Sequence, residues 1–441
     1  MKTVAFHNLG CKVNDYETDI MQQKFTENGF RVVDFGQKAD IYVINTCTVT
    51  NIADRKSRQM IHRAKKENPD AIVIATGCYV QTAYDHGELD SSIDIAIGNN
   101  KKSEILDILN KYIEEKRPAG FSEIIDINHT SDYESMFLSK TSDRTRAYIK
   151  IQDGCNQFCS YCLIPFARGR VRSREMEDII REIEELCKNG YKEFVLTGIH
   201  VSSYGITDPN DLSQNKLADL LERIQELDGV KRIRLSSLEP RVVTKEFVER
   251  ISKLDKLCPH FHLSLQSGSN DTLKRMNRHY TAAQYMEGVE LLRKYFDNPA
   301  ITTDIIAGFP GETDSEFEEC FSFAKKVSFY EMHIFKYSKR KGTVAEKLPN
   351  QVRDDIKEQR SHRLIELGES LSKMFRESFV KKVKPVLFEE KIYVGGEKYA
   401  VGYTPEYIRV AVPYNDIFIN EIVDVRIDSC FEGDIYKGTV I

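Results

Sequence analysis

Short β-branched runs alternate with amphipathic helical segments along most of the chain, and this alternation limits the fold more than any other feature. In the first hundred residues the runs are TVAFHN, DIYVIN, AIVIAT and SIDIAI. Further along they are AYIKIQ, KEFVLT, RIRLS, FHLSL, ITTDII and EMHIF. Continuous apolar strands joined by helices are typical of parallel sheets that are buried on both faces. The sequence therefore predicts an α/β protein.

The length of the chain predicts two or three domains. Its 441 residues are 41% hydrophobic and 30% charged, which is typical of a globular protein. We place an N-terminal domain at 1–113, a linker at 114–140, a central domain at 141–372 and a C-terminal domain at 373–441. No apolar run approaches the length of a membrane span, so we expect no membrane contact. Ten cysteines without an export signal predict a cytoplasmic protein, and we expect a monomer.

Three cysteines crowd into eight residues in the segment GCNQFCSYC, as Cys155, Cys159 and Cys162. A structural zinc site and an iron–sulfur cube each take four protein ligands. A triplet without an obvious fourth ligand leaves one metal position open for chemistry. Two alternatives remain: a zinc site with a distant fourth ligand, and a disulfide framework. The second is disfavoured because MKTVAFHNLG has no signal-peptide features.

Three further cysteines each follow a predicted strand of the N-terminal domain, at Cys11, Cys47 and Cys78. The carboxyl ends of parallel strands lie along one edge of a sheet, so these thiols can converge. Gly10 and Gly77 directly precede two of them and permit a tight turn. We expect a second three-cysteine metal site here; the alternative is three buried, inert thiols. The remaining cysteines are assigned to packing: Cys187, Cys258, Cys320 and Cys430.

The CxxxCxxC spacing, with Tyr161 before its third cysteine, resembles the signature of the radical S-adenosylmethionine (SAM) superfamily. The segments NLGCKVNDYET, INTCTVT and TGC narrow the resemblance to the methylthiotransferase family, over essentially the whole chain. The resemblance implies two 4Fe–4S clusters. Cys155, Cys159 and Cys162 would hold the cluster whose free iron chelates SAM. The N-terminal triad would hold an auxiliary cluster.

Six strand–helix units in the central region predict a (β/α)6 partial barrel of the TIM type, with functional groups at the carboxyl ends of its strands. The cysteine triplet follows the first of these strands. Other polar residues fall at equivalent positions, and each has an alternative role as a turn or helix-cap residue. The family resemblance implies that several of them bind SAM: Gly198, Ser237, Glu239, Gln266 and Asp304.

Basic residues in two places are candidates for phosphate contacts. The first group, in ARGRVRSRE, consists of Arg168, Arg170, Arg172 and Arg174. The second, which precedes short alternating strands, consists of Lys381, Lys382 and Lys384. Those strands predict a small antiparallel barrel, which resembles the RNA-binding TRAM domain. Three tyrosines of this region are candidates either for base stacking or for a small core: Tyr399, Tyr403 and Tyr407.

The segments GCKVN and NTCTVTN resemble those of the branch of the family that acts on threonylcarbamoyladenosine in tRNA. The resemblance implies conversion of threonylcarbamoyladenosine, beside the anticodon, to its 2-methylthio derivative. A radical derived from SAM would attack carbon 2, the auxiliary cluster would supply sulfur, and a second SAM would supply the methyl group. An external electron donor and a sulfur source are implied partners. The alternatives are isopentenyladenosine tRNA or a ribosomal-protein side chain as substrate, and a non-catalytic, metal-bound RNA-binding protein.

Overall fold

The N-terminal domain is a parallel sheet in this computed structural model, which describes residues 2–140, 145–208, 211 and 214–441. Its strands are β1 (Thr3–Asn8), β2 (Arg31–Val33), β3 (Ile41–Thr46), β4 (Ile72–Gly77), β5 (Ile95–Ile97) and β6 (Phe121–Glu123). They lie in the order β2-β1-β3-β4-β5-β6, and every pairing is parallel. The predicted α/β class with parallel sheets is confirmed.

Helices cover both faces of this sheet, as continuous apolar strands require. They are α1 (Lys12–Glu27), α2 (Asn51–Glu67), α3 (Cys78–Asp85) and α4 (Ile105–Glu114). Ile61 of α2 and Val80 of α3 belong to the core on one face. Phe25 of α1 and Ile108 of α4 belong to the core on the other face.

The sheet is wider than the sequence predicted, because β2 and β6 extend its two edges. β6 lies inside the predicted linker 114–140 and pairs with β5 through Ile95 and Phe121. Each of these edge strands has three residues, too few for a recognisable apolar run. The predicted start of the central domain, at residue 141, lies outside the described residues.

The central region contains two parallel sheets. Its strands are β7 (Arg146–Asp153), β8 (Arg172–Ser173), β9 (Glu193–Gly198), β10 (Arg232–Leu235), β11 (His260–His262), β12 (Ala300–Ala307) and β13 (Glu331–Lys336). Parallel pairs join β7 to β9 to β10, and β11 to β12 to β13. Isolated parallel bridges, Ile233 to Leu257 and Leu238 to Leu263, link the two sheets. β8 is antiparallel to the end of β7.

Helices pack against these strands around the largest apolar core of the protein. They are α5 (Ile164–Ala167), α6 (Met176–Lys188), α7 (Leu217–Gln225), α8 (Lys245–Ile251), α9 (Asn270–Arg275), α10 (Ala282–Tyr295), α11 (Asp314–Val327) and α12 (Asp354–Glu377). Thr281 and Thr313 are the N-cap residues of α10 and α11, and each forms a capping box. In the described part of the chain, no helix has the length and apolar character needed to cross a bilayer.

The C-terminal strands close into a barrel. They are β14 (Val383–Val394), β15 (Glu397–Tyr403), β16 (Arg409–Pro413), β17 (Ile422–Glu432) and β18 (Ile435–Val440), in the order β14-β15-β16-β18-β17. The β16–β18 pairing is parallel, so the prediction of an entirely antiparallel barrel is wrong at that pair. Phe388, Val410 and Ile427 lie in its buried core.

A buried charge cluster joins the N-terminal domain to the central region. Glu17 of α1 accepts hydrogen bonds from Arg168 at 2.5 Å, Lys102 at 2.5 Å and Lys150 at 2.8 Å. All four side chains are fully buried. Burial opposes ionisation of Glu17, but the three cations hold its pKa well below the usual value. Glu17 is therefore the ion-pair partner of Lys102, and it shares Lys150 and Arg168 with the buried Asp153.

The C-terminal barrel contacts the central region through arginines at the start of β7 and β10. Arg232 donates to the carbonyl oxygens of Pro385 and Tyr403, at 2.6 Å and 2.9 Å. Arg146 forms an ion pair with Glu389 at 2.7 Å and donates to the Tyr407 hydroxyl at 2.6 Å. Guanidinium groups satisfied in this way fix the barrel against the base of the sheet.

Replacing Glu17 by glutamine should destabilise the metal-free protein by about 3–5 kcal/mol, because the buried Lys102 loses its ion-pair partner and Asp153 alone is left to balance Lys150 and Arg168. The free energy of unfolding can be measured by chemical denaturation. Glu27→Gln, on the exposed end of the same helix, is the matched control and should change it by less than about 0.5 kcal/mol. Equal effects of the two substitutions would contradict the role assigned to Glu17.

Candidate active site

The first cysteine loop turns sharply at the end of β7. Gly154 has a φ of +71°, and a Cβ added there would lie 1.8 Å from the carbonyl oxygen of Arg170. Only glycine fits this turn. The amide of Cys155 then donates to the Gly169 carbonyl at 3.0 Å. The turn therefore fixes where the three thiols of the loop begin.

N–H donors face two of the three sulfurs of this loop. The Arg278 guanidinium lies 3.1 Å from Cys159 Sγ, and the amide of Ile164 lies 3.4 Å from Cys162 Sγ. Burial raises the pKa of Cys155 to about 12, so the metal-free thiol is protonated at neutral pH. A bound metal removes that proton, and N–H donors to sulfur are typical of tuned iron–sulfur sites. The donor set of Cys155, Cys159 and Cys162 fits a cluster with one open position.

The second triad lies at the edge formed by β1, β3 and β4, which are neighbours in the sheet. Cys11, Cys47 and Cys78 directly follow or closely follow these strands. Gly77 has a φ of +99°, and a Cβ there would lie 2.5 Å from the Thr46 carbonyl oxygen. A Cβ on Gly10 would lie 3.2 Å from that of Cys47. The three loops thus pack directly against one another.

The sulfurs of the second triad lie close enough to affect one another's pKa, and one of them contacts a buried arginine. Arg168 Nε lies 3.2 Å from Cys78 Sγ. Burial raises the pKa of Cys47 to about 12, and the neighbouring Cys78 and Cys11 contribute in the same direction. Cys78 is buried whereas Cys11 is exposed, so the triad opens on the Cys11 side. Three convergent thiols with a guanidinium donor fit an auxiliary cluster.

Cys11 opens onto a cavity of about 390 Å³ inside the central strands. Gly198, Ser237 and Asp304 line this cavity together with Cys11 and Lys12. Three of the residues predicted to bind SAM therefore share one space with a cysteine of the other domain. Groups from two separate sheets can act on one ligand there.

Two other residues predicted to bind SAM, Glu239 and Gln266, do not line that cavity. Glu239 lines a neighbouring cavity of about 240 Å³ with His200 and Arg241, and it accepts from Arg241 at 2.8 Å. Burial, with the charges of Arg278 and Arg241, lowers the pKa of His200 to about 3, so its ring is neutral. Gln266 has a φ of +66°, and its backbone amide donates to the backbone carbonyl oxygen of Asp304 at 2.8 Å.

Three of the four arginines predicted to contact RNA are buried, which corrects that prediction. Arg168, Arg172 and Arg174 are at most 3% exposed. Arg168 pairs with Glu17, Arg174 with Glu182 at 2.6 Å, and Arg172 lies 3.7 Å from Asp153. The ARGRVRSRE segment alternates in and out of the protein, and charge alone does not reveal this.

Arg170, the fourth member of that group, is exposed. Its guanidinium lies 4.5 Å from the centre of the Phe158 ring, close to the first cysteine loop. Arg170 therefore remains a candidate phosphate contact beside the metal site.

The C-terminal candidates divide in the same way. Lys381 and Lys382 are exposed, whereas Lys384 forms an ion pair with the buried Glu406 at 2.6 Å. Tyr399 is 4% exposed and lies in a barrel core. The rings of Tyr403 and Tyr407 stack at 4.6 Å beside Arg146, against the central region. The core alternative is therefore right for Tyr399, whereas Tyr403 and Tyr407 are half-buried between the barrel and the central region.

Sequence reasoning missed several cavity residues. His262 lies 3.4 Å from Asp304, and its ring lies 5.9 Å from that of His333. The three side chains offer ligand atoms within 4.8 Å of one another. Strand register could have predicted this group, because Asp304 pairs directly with His333 across β12 and β13. Lys12 and Arg278 carried no signal apart from their charge.

Replacing Gly77 or Gly154 by alanine should each remove about half of the bound iron, because each substitution displaces one cysteine loop. The measurement is iron content and visible absorption after anaerobic reconstitution. Gly87→Ala is the control, since Gly87 also has a positive φ of +67° but has no atom within 4 Å of an added Cβ. Full iron content in the Gly77 or Gly154 variant would contradict this role of the turns.

Two family models match the chain in the regions that carry the cysteines. The radical SAM superfamily model matches residues 149–324. The model of the uncharacterized protein family UPF0004 matches residues 3–98. Each match contains one of the two triads.

Similar proteins cover nearly the whole chain. The threonylcarbamoyladenosine tRNA methylthiotransferase MtaB of Bacillus subtilis is 43% identical, over 97% of this chain and 94% of that protein. The tRNA-2-methylthio-N(6)-dimethylallyladenosine synthase of Clostridium botulinum is 36% identical, over 86% and 84%. Among solved structures, the radical SAM methyltransferase TsrM of Kitasatospora setae has a similar fold, with a TM-score of 0.53 over 76% of this chain and 72% of that one, at 16% identity. The chain belongs to the radical SAM methylthiotransferase family.

Proposed function

We propose that the protein is a tRNA methylthiotransferase that converts threonylcarbamoyladenosine beside the anticodon to its 2-methylthio derivative. One observation carries this proposal: Cys11 of the N-terminal triad lines the same cavity as Gly198, Ser237 and Asp304 of the central strands. Sulfur insertion requires a sulfur-bearing group and a radical-generating group to reach one substrate atom. The relative from Bacillus subtilis, with its 43% identity, supports the choice of substrate.

The cofactors of this family are 4Fe–4S clusters and SAM. Cys155, Cys159 and Cys162 would hold the cluster that binds SAM, and the N-terminal triad, Cys11, Cys47 and Cys78, would hold the auxiliary cluster. When bound, these groups supply the electron that cleaves SAM and the sulfur that enters the product. Carbon 2 of the target adenine carries a hydrogen that is not acidic, so acid–base groups do not remove it.

The chain's own residues position these groups and enclose them. Arg278 and Arg168 donate to one sulfur of each triad, at 3.1 Å and 3.2 Å. The walls of the cavity shield a reactive species from water. We assign SAM contacts to the five residues already named, namely Gly198, Ser237, Glu239, Gln266 and Asp304.

We further infer the roles of the domains. Residues 1–113 carry the auxiliary cluster, 141–372 form a radical SAM core of the partial-barrel type, and 373–441 form a TRAM-like RNA-binding module. The closed barrel at the C-terminus, with the exposed Lys381 and Lys382, supports the last assignment. The enzyme works on tRNA in the cytoplasm as a monomer, with an external electron donor and sulfur source.

Nucleoside analysis of tRNA tests the proposed substrate. A strain lacking this protein should lose 2-methylthio-threonylcarbamoyladenosine and accumulate its unmethylthiolated precursor. Unchanged tRNA nucleosides would contradict the proposal and favour a ribosomal-protein side chain. Loss of the 2-methylthio-dimethylallyladenosine product instead would identify dimethylallyladenosine in tRNA as the substrate.

Anaerobic reconstitution tests the proposed chemistry. The loaded protein should bind about eight iron atoms per chain and release 5′-deoxyadenosine from SAM. Cys78→Ala should retain SAM cleavage but form no methylthiolated product. Bound zinc without SAM cleavage would favour a non-catalytic RNA-binding protein.

Replacing Lys381 and Lys382 together by glutamate should weaken tRNA binding and reduce the slope of log affinity against log salt by about 2, one for each lost phosphate contact. Affinity can be measured by filter binding between low and high salt. Lys325 and Lys326, an exposed adjacent pair on α11, provide the matched control when both are changed to glutamate. Equal losses in the two double variants would argue against RNA contact at the barrel.

A further inference from the structure

Lys12 is a basic side chain in the wall of the shared cavity. It is the first residue of α1, directly after Cys11, and it lines the cavity of about 390 Å³. Within the described residues its ammonium group makes neither a hydrogen bond nor an ion pair. A half-buried ammonium group in this condition favours an anion that the protein itself does not supply.

The charges nearest to Lys12 strengthen this preference. Arg234 and Arg146 repel its ammonium group, whereas the Asp15 carboxylate attracts it. Both arginines already have acceptors: Arg234 bonds to Glu193 at 2.9 Å, and Arg146 to Glu389 at 2.7 Å. Glu193 also serves Arg232, at 3.5 Å. Glu193 and Glu389 therefore already serve arginines, and neither is the counter-ion of Lys12.

A second feature of the cavity points to the same kind of ligand. His260 lines it, is 8% exposed, and its Nδ1 has no hydrogen-bond partner among the described residues. The charge of Lys12 acts on this ring, so the two side chains lie near each other. A buried polar atom without a partner is costly unless a ligand satisfies it.

The amino end of α1 adds a smaller contribution. Cys11 is the N-cap residue of α1 and makes no side-chain capping bond. Free amides and the helix dipole at such an end favour a negative group. Acidic residues of the cavity, Asp304 and Glu331, are carried by β12 and β13, where Asp304 lies against His262 at 3.4 Å.

We propose that Lys12 binds the carboxylate of the threonylcarbamoyl group and thereby selects adenosines with an acidic N6 substituent. This inference rests on the proposed function, which supplies a substrate with one carboxylate beside the purine. An uncharged substituent such as dimethylallyl offers no counter-ion to Lys12. The same ammonium group that is unpaired in the free protein becomes paired when the acidic substrate enters.

The test compares two anticodon stem-loop RNAs that differ only at the N6 substituent of one adenosine. One carries the threonylcarbamoyl group as the free acid and the other carries its methyl ester. Lys12→Met should lower kcat/KM for the acid about 10- to 100-fold, the range expected for a lost charge-assisted hydrogen bond. Its kcat/KM for the ester should stay within about twofold of the unaltered enzyme, and Lys12→Arg should retain much of the preference for the acid.

Lys245→Met is the matched control, because Lys245 is also the first residue of a helix but lies outside the cavity. Iron content and 5′-deoxyadenosine release without RNA should be unchanged in every variant. Equal losses with acid and ester in Lys12→Met, or a raised KM for SAM, would overturn the assignment. An unaltered enzyme that cleaves SAM but methylthiolates neither RNA would instead overturn the proposed function, and the inference with it.

Discussion

The ion pair between Arg168 and Glu17 is the contact on which the arrangement of the two cysteine sites depends. Arg168 comes from the loop after Cys162, and Glu17 comes from the helix after Cys11. The same guanidinium lies 3.2 Å from Cys78 Sγ, so it joins the central region to a metal ligand of the N-terminal domain. Because a buried cation requires its counter-ion, the two domains cannot separate without a large cost in free energy. The relative position of the two triads is therefore a consequence of electrostatics as much as of apolar packing.

Glycine and strand order determine the shape of each triad. At Gly77 and Gly154 the backbone has a positive φ and no space for a Cβ, so the chain turns directly from a strand into a cysteine loop. In the N-terminal sheet the three cysteine-bearing strands are immediate neighbours, which brings thiols 36 and 31 residues apart in sequence to one edge. Both arrangements leave a side of the thiol set open towards ligands, as cluster chemistry requires.

The C-terminal barrel shows how tertiary contacts redirect side chains that look functional in sequence. Tyr403 and Tyr407 have the aromatic character of base-stacking residues, yet they stack on each other beside Arg146. Arg172 and Arg174 have the charge of phosphate-binding residues, yet they lie beneath the surface beside Asp153 and Glu182. In each case another side chain of the protein, rather than RNA, is the partner of the charge or ring.

The sequence by itself determined the α/β class and the apolar strands that the candidate cysteines follow, because apolar runs and turn residues are local signals. The short edge strands β2 and β6, the parallel β16–β18 pair and the burial of Arg168 were decided only by the tertiary structure. So were the approach of Cys11 to the central cavity and the unpaired charge of Lys12. These features share one physical reason. Burial, pairing and electrostatic surroundings depend on residues far away along the chain, and a local sequence pattern does not predict which distant residues become neighbours.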